Sequence, residues 1–231
     1  MKRLSTSEIK SILFGVLSSD GCVIGARFDL FTKSEQYALY VKSVLENIPN
    51  LSVKMYIKKD KRSESYSGYR IYTSNHEYFA KLRKIFYSDR KILSKYICDR
   101  LGILGLANIW MCDGYMEHRK NRKKNKVQNI GYFCLESFPK DELAHLIKTL
   151  SEYGIESSLE KVEWGFGYRI RIGKDLQKLS SLIYPHMVKD FEYKTLLYYK
   201  NGTKNTDVSL PNAEQYLRYY LDTEDIVRHS W

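Results

Sequence analysis

Two apolar stretches that each end in Asp-Gly decide the fold of this chain: Leu13-Phe14-Gly15-Val16-Leu17-Ser18-Ser19-Asp20-Gly21 and Leu106-Ala107-Asn108-Ile109-Trp110-Met111-Cys112-Asp113-Gly114. Each is typical of a helix that a glycine terminates. Aspartate at a helix C-terminus is unfavourable by about 0.3–1 kcal/mol, because that end carries partial negative charge. A bound cation reverses the sign of that interaction. The same acid at the end of both helices therefore indicates a divalent-cation site.

Small side chains form a stripe on each of these helices. The small residues are Gly15, Ser18 and Ser19 in the first helix and Gly105, Asn108 and Cys112 in the second. Such stripes let two helices pack closely, which would place Asp20 and Asp113 side by side. Simple core packing would use the same stripes, and the two interpretations are compatible. Paired carboxylates that hold a metal in a basic protein indicate phosphodiester hydrolysis.

The chain repeats itself. Gly68-Tyr69-Arg70-Ile71 recurs as Gly167-Tyr168-Arg169-Ile170, and Phe28-Asp29-Leu30 recurs as Phe133-Cys134-Leu135, each followed by a helical pattern. Because these elements and the two Asp-Gly helices recur in the same order, the sequence predicts two related halves. We expect the halves to be residues 1–101 and 102–200, followed by a C-terminal extension, residues 201–231, with a helix near 212–221.

Each half is predicted to contain helix, hairpin, helix, hairpin and helix. The connecting helices are expected at 35–46, 77–86 and 140–153. In the hairpins, Leu51–Ile57 alternates between apolar and polar residues, as a strand does when one of its faces is buried. The predicted fold is therefore α+β, with helices on one face of each sheet. The opposite face is basic and rich in tyrosine, as a saddle for DNA would be.

Composition favours nucleic acid as the partner. Lys and Arg number 38 against 27 Asp and Glu, a net charge of +11 with 14% aromatic residues. A folded basic protein binds polyanions by releasing their counterions. An anionic membrane surface is the rival partner, but no amphipathic helix with a basic face stands out. Residues 119–126 hold the densest positive charge, in a hairpin longer than its counterpart in the first half.

The sequence gives no support for a membrane protein, a secreted protein, a disulfide-linked protein or a zinc-binding protein. There is no apolar run long enough for a membrane span and no signal-peptide pattern near the N-terminus. The four cysteines (Cys22, Cys98, Cys112 and Cys134) form no CxxC pair, and the five histidines have no ligand spacing. We therefore expect no zinc site, no disulfide framework and no membrane partner. The expected location is intracellular and soluble, in a bacterial or phage-infected cytoplasm or an organelle matrix.

The two motif stretches resemble the LAGLIDADG motif of homing endonucleases, in the monomeric form that carries two motifs in one chain. The resemblance covers residues 1 to about 200 and implies two αββαββα halves that straddle DNA, with the motif helices packed at the centre. It implies that Asp20 and Asp113 bind Mg²⁺, or another divalent cation such as Mn²⁺ or Ca²⁺, and are catalytic. It also implies a basic catalytic residue after the last helix of each half. Lys91 and Lys194 match these positions, with Lys189 as a weaker candidate.

The chain departs from the family pattern in three places. Ser18 and Met111 replace the first acid of the motif, and Asn108 replaces a motif glycine. The first acid is not the main metal ligand, so cleavage is still expected. Asn108 at a close helix contact predicts looser or hydrogen-bonded packing.

The expected activity is sequence-specific cleavage of both strands of a duplex target of roughly two helical turns. The alternative is an RNA maturase that binds its host intron, or a DNA-binding regulator without cleavage. The residues predicted to contact DNA are Lys54, Tyr56, Lys58, Lys59, Lys61, Arg62, Arg70, Tyr72, Arg119, Lys120, Arg122, Lys123, Lys124, Lys126, Arg169 and Arg171.

Overall fold

The structure, a computed structural model, describes residues 4–60, 63–121, 126–162 and 167–198. Within those ranges, only the backbone is described at residues 59, 60, 63–66, 119–121, 126 and 127. The predicted helix near 212–221 and the whole extension 201–231 lie outside the described residues.

The first half runs in the predicted order. Its elements are α1 (Thr6–Ser18), β1 (Cys22–Ile24), β2 (Arg27–Thr32), α2 (Glu35–Leu45), β3 (Val53–Asp60), β4 (Ser63–Thr73) and α3 (Glu77–Phe86). A short helix, α4 (Lys95–Cys98), leads into the second half. Sequence patterns explain the starts of α1 and α2. Ser5 and Glu8 form a capping box at α1, and Ser34 accepts a hydrogen bond from the Tyr37 amide at α2.

The second half repeats this order. Its elements are α5 (Gly102–Asp113), β5 (Gly114–Asn121), β6 (Lys126–Phe133), α6 (Lys140–Glu152), β7 (Ser157–Lys161), β8 (Tyr168–Ile172) and α7 (Leu176–Ile183). Two 3₁₀ helices follow, at Tyr184–His186 and Lys189–Lys194. The prediction of two αββαββα halves is thus confirmed, with α2 and α6 each ending one residue earlier than predicted.

Each half contains a four-stranded antiparallel sheet with the same strand order, β1-β2-β4-β3 and β5-β6-β8-β7. The repeated Gly-Tyr-Arg-Ile segments occupy equivalent places. Ile71 pairs with Leu30 and Met55, and Ile170 pairs with Phe133 and Leu159. The Gly-Tyr-Arg-Ile repeat therefore corresponds to a repeat in strand pairing. The predicted match of Phe28-Asp29-Leu30 with Phe133-Cys134-Leu135 is wrong by two residues, because Leu30 and Phe133 occupy the same place in the two sheets.

One continuous hydrophobic core runs through both halves. Phe28, Leu30 and Ile71 of the first sheet are buried, and so are Phe133, Ile170 and Ile172 of the second. The predicted boundary between residues 101 and 102 coincides with the start of α5. Because the core is shared, the division into domains at that boundary stays a prediction. No helix in the described part of the chain has the length and apolarity to cross a membrane.

Candidate active site at the ends of the two motif helices

The two motif helices, α1 and α5, pack against each other at the centre of the molecule. A Cβ added to Gly15 would lie 2.8 Å from Gly105 Cα and 2.9 Å from Asn108 Cβ. Those separations are shorter than real Cβ contacts, so only glycine permits the helices to approach this closely. The predicted stripe of small residues is the contact surface.

Asn108 contributes hydrogen bonds to this contact. Its side-chain amide donates to Leu104 O at 2.8 Å, and its oxygen accepts a hydrogen bond from the Tyr37 hydroxyl at 3.1 Å. Cys112 Sγ in turn donates to the Tyr37 hydroxyl at 3.2 Å. The prediction of hydrogen-bonded packing at Asn108 is confirmed. Tyr37 is a buried partner that no motif or spacing in the sequence singles out.

The two helices end differently. α5 continues through Asp113, and β5 begins at the next residue. α1 ends earlier than expected, at Ser18, and the Gly21 amide closes the turn by donating to Val16 O at 2.8 Å. Asp20 therefore lies in a turn and is exposed, whereas Asp113 is half-buried in the last helical turn. The helices bring the two aspartates into one cluster with different degrees of hydration.

Burial, and next the negative charge of Asp20, raises the pKa of Asp113 to about 7, although the charges of Lys194 and Lys91 oppose this. Within the described residues, the carboxylate of neither aspartate is hydrogen-bonded or ion-paired. A desolvated carboxylate beside a second carboxylate, with no direct donor on either, suits a divalent cation. The described part of the chain contains no group of three or more potential metal ligands. Magnesium commonly uses one or two protein carboxylates, so this donor set fits it.

Lys91 and Lys194 occupy equivalent positions at the ends of the motif helices. Lys91 Nζ donates to Ser19 O at 2.7 Å and Gly21 O at 2.8 Å. Lys194 Nζ donates to Met111 O at 2.7 Å and Cys112 O at 3.2 Å. Each ammonium thus neutralises carbonyls at a helix C-terminus. Burial lowers the pKa of both lysines. Lys189, the weaker candidate, is exposed at the start of the last 3₁₀ helix.

The two positions where the motif lacks its first acid are both buried. Ser18 and Met111 are 0% exposed. The Ser18 hydroxyl has no hydrogen-bond partner within the described residues. A carboxylate at either position would have to be desolvated. The departures from the pattern are therefore compatible with this helix contact.

On the first sheet, five of the predicted DNA-contact residues, Lys54, Tyr56, Lys58, Arg70 and Tyr72, share the face that points away from the helices. Tyr56 lies opposite Arg70, and Lys54 opposite Tyr72. Lys54 and Lys58 are exposed. Arg70 is already held by Asp29, with Nε 3.0 Å from one carboxylate oxygen, and its Nη1 donates to the Tyr56 hydroxyl at 3.1 Å. This arginine is therefore fixed in place and partly neutralised.

The second sheet holds its arginines in the same way but with a different acid. Arg169 is ion-paired with Glu160 and lies over the Tyr132 ring, 3.7 Å from its centroid, and Arg171 is 3.4 Å from the same carboxylate. Glu160 is thus the common partner of both arginines. Tyr132 occupies the strand position that Asp29 occupies in the first half, because Ile170 pairs with the next residue, Phe133, as Ile71 pairs with Leu30.

The densest basic segments lie largely beyond the part of the chain that the structure describes. Lys61, Arg62, Arg122, Lys123 and Lys124 are outside the described residues. The side chains of Lys59, Arg119, Lys120 and Lys126 are outside them too, although their backbones belong to hairpin strands. The contacts of all these residues with DNA stay predictions.

Comparison with known proteins places the fold. A sequence model of the LAGLIDADG DNA endonuclease family matches residues 10–179. The homing endonuclease I-WcaI bound to its DNA recognition sequence is similar, with a TM-score of 0.68 and 20% identity over 85% of this chain and 88% of that chain. The N-terminal LAGLIDADG domain of DUF199/WhiA has a TM-score of 0.51 and 15% identity, covering 82% of this chain and 87% of that chain. No curated protein matches significantly in sequence.

Proposed function

Because the chain belongs to the LAGLIDADG DNA endonuclease family, we propose that it is a homing endonuclease that hydrolyses one phosphodiester bond in each strand of a specific duplex target. The observation that carries this proposal is the cluster of Asp20, Asp113, Lys91 and Lys194 at the ends of two close-packed helices. Two hydrolytic groups related by the internal repeat match the two strands of a duplex. In this proposal the protein acts as a monomer, since both motifs belong to one chain.

Asp20 and Asp113 would hold Mg²⁺, or a similar divalent cation, between them and the phosphate oxygens. When bound, the cation supplies charge neutralisation and an acidified water molecule. The two carboxylates would be available to the same cation, because the glycine contact between α1 and α5 brings the segments that carry them together. The half-buried position of Asp113 limits water near the reacting phosphate, which strengthens electrostatic interactions there.

Lys91 and Lys194 would act on the phosphate rather than on the cation. Their ammoniums are held within the cluster by backbone carbonyls of the motif helices, at 2.7–3.2 Å. A positive charge held there stabilises the negative charge that develops on the phosphate, or orients the attacking water. The carbonyl contacts keep both side chains directed at the helix ends before DNA arrives.

DNA would be bound by the two sheet faces. Exposed Lys54 and Lys58 offer phosphate contacts, and Arg70 and Arg169 are held in position by Asp29 and Glu160 to reach base edges in the major groove. Glu160 and Asp29 also reduce the positive charge of these faces. Specific contacts then contribute relatively more to binding than general attraction to phosphates.

The test is selection of cleaved sites from a randomised duplex library, with Mg²⁺ and with a chelator. We expect a single long site, cut in both strands only when metal is present. A site that is bound but never cut would favour a regulator. Binding only to a structured intron RNA would favour a maturase.

A further inference from the structure

The segment that carries Lys91 is a tight turn after α3. Tyr87 and Lys91 form an isolated antiparallel bridge, and the Ile92 amide donates to Phe86 O at 2.9 Å. These bonds shape the turn, but they leave open how it is fixed relative to the second half of the molecule.

Glu142 supplies that attachment. It lies in the first turn of α6, in the second half, and its side chain is 14% exposed. One carboxylate oxygen accepts the Leu93 amide at 2.8 Å, and the other accepts Arg90 Nη2 at 2.6 Å. Arg90 Nη1 also donates to Lys91 O at 2.7 Å. The Leu93 amide directly, and the Lys91 carbonyl through Arg90, are therefore bonded to one carboxylate of the opposite half.

We propose that Glu142 is a positioning residue for Lys91, so that the first half's lysine depends on the second half for its place. An exposed ion pair between two flexible side chains contributes little to stability. Glu142 differs, because it is largely buried and bonds a backbone amide. Lys91 lies between the two attached residues, Arg90 and Leu93. A shift of the Lys91 backbone would break these bonds and carry the ammonium away from Ser19 O and Gly21 O.

The backbone carbonyl of the equivalent lysine, Lys194, is bonded within its own half. Lys194 O accepts a hydrogen bond from the indole nitrogen of buried Trp110, on α5, at 3.0 Å. Its segment also contacts the first half, where Ser34 Oγ donates to Asp190 at 2.6 Å and the Phe191 ring packs edge-on against buried Tyr37. Neither of these contacts involves Glu142. Removing Glu142 should therefore affect Lys91 and leave Lys194 in place.

This inference rests on the proposed role of Lys91 in cleavage, so the experiment tests both. Single-turnover cleavage at saturating DNA is measured for each end-labelled strand in the wild type, Lys91→Met, Glu142→Gln and Glu142→Ala. Glu77→Ala is the matched control, because Glu77 also lies in the first turn of a helix and its ion pair with Lys81 is exposed. Amide hydrogen exchange at Leu93 is measured on the same metal-free proteins.

We expect Glu142→Ala to reproduce the strand pattern of Lys91→Met, with a loss of rate on the order of tenfold to a hundredfold, as for a misplaced catalytic group. Leu93 exchange should accelerate, while DNA affinity and the Glu77→Ala rates stay unchanged. Glu142→Gln keeps the shape and one acceptor oxygen, so it should show a smaller loss. If Glu142→Ala does not fold, the Gln variant provides both readouts.

Two results would overturn the inference. The first is slow cleavage by Lys91→Met with normal rates in both Glu142 variants. The second is an equal slowing of both strands in the Glu142 variants, where Lys91→Met slows one, which would indicate a general structural defect. Normal cleavage by Lys91→Met itself would instead refute the proposed role of the lysine, and the inference with it.

Discussion

Lys91 and Lys194 both reach carbonyls at the ends of the two motif helices, with Ser19 O and Cys112 O in equivalent positions, yet different parts of the molecule hold their segments there. The carbonyl of Lys194 is bonded by Trp110 of its own motif helix, whereas the segment of Lys91 is bonded by Glu142 of the opposite half. The aspartates differ as well, since Asp20 is exposed in a turn and Asp113 is half-buried on a helix. The lysine and the aspartate thus have similar positions in the two halves, but the contacts around them differ.

We therefore expect the two centres, Asp20 with Lys91 and Asp113 with Lys194, to respond unequally to equivalent substitutions. The segment of Lys91 is bonded by Glu142 of the opposite half, whereas the carbonyl of Lys194 is bonded within its own half. Substitutions in one centre should show whether the two cleavage reactions are independent or coupled.

The largest effect is expected from the aspartates. Asn at position 20 or 113 keeps the shape but weakens a metal ligand, so each single variant should lose most double-strand cleavage. The double variant should bind DNA and cut neither strand. Strand-resolved cleavage of end-labelled duplex distinguishes two cases. Independent metals would leave nicking on opposite strands in the two single variants, whereas a shared metal would slow both strands in each. Near-normal cleavage by either folded single variant would refute the two-aspartate site.

The lysines should come next. Lys91→Met and Lys194→Met each remove a charge that would stabilise the reacting phosphate, and we expect losses on the order of a hundredfold in rate. Affinity for the target should stay within a few-fold, as measured by equilibrium binding with Ca²⁺. Lys189→Met is the control, because that side chain is exposed. Full activity in Lys194→Met together with a defect in Lys189→Met would show that the second lysine is misassigned.

The hairpin of β5 and β6 is a further difference between the halves, since β5 spans Gly114–Asn121 where β1 spans Cys22–Ile24. Neutralising its basic residues (Arg119, Lys120, Arg122, Lys123, Lys124 and Lys126) should weaken binding to all DNA sequences. The slope of log affinity against log salt should flatten by about 0.9 for each phosphate that is no longer neutralised. An unchanged slope would show that this hairpin does not contact DNA. Removing Lys54 and Lys58 provides the corresponding measurement for the first half.

The smallest expected effect is on the free energy of unfolding of the metal-free protein, through the ionisation of Asp113. With a pKa of about 7 in the folded state against 3.8 ordinarily, Asp113 binds its proton more tightly when the chain is folded. Below about pH 4 both states are protonated and the group has no effect. Between about pH 4 and 7 only the unfolded state loses the proton, so folding is progressively destabilised, and above pH 7 the penalty is complete.

Asp113→Asn should therefore raise the free energy of unfolding at pH 8, on the order of 1–3 kcal/mol after allowing for partial exposure. Its effect at pH 4 should be small. Denaturant unfolding in a chelator at both pH values measures the difference, with Asp20→Asn as the exposed counterpart. An equal change at both pH values would contradict the buried environment of Asp113. Added Mg²⁺ should reduce the difference between variant and wild type, because the cation stabilises the ionised wild-type side chain.

The elements and the central site follow from local sequence patterns. The alternation of Leu51–Ile57 predicts β3, and the two stretches that end at Asp20 and Asp113 predict the motif helices. Glycine at 15 and 105 predicts their close contact. These patterns can be recognised in the sequence because the side chains of a helix or strand repeat with a fixed period over a few residues. The internal repeat also shows each pattern twice.

Only the tertiary structure decides which side chains hold the site together. Glu142 meets Arg90 and Leu93, Asp29 meets Arg70, and Tyr37 meets Asn108 across long stretches of chain. Nothing in the sequence around Glu142 or Asp29 indicates the partner of that acid, and each resembles an ordinary surface charge. Their partners depend on how the two halves and the strands of each sheet are packed against one another. That packing depends on the shape of the whole core, so a short stretch of sequence determines the helix that carries Asp113 but not the carboxylate that holds Lys91.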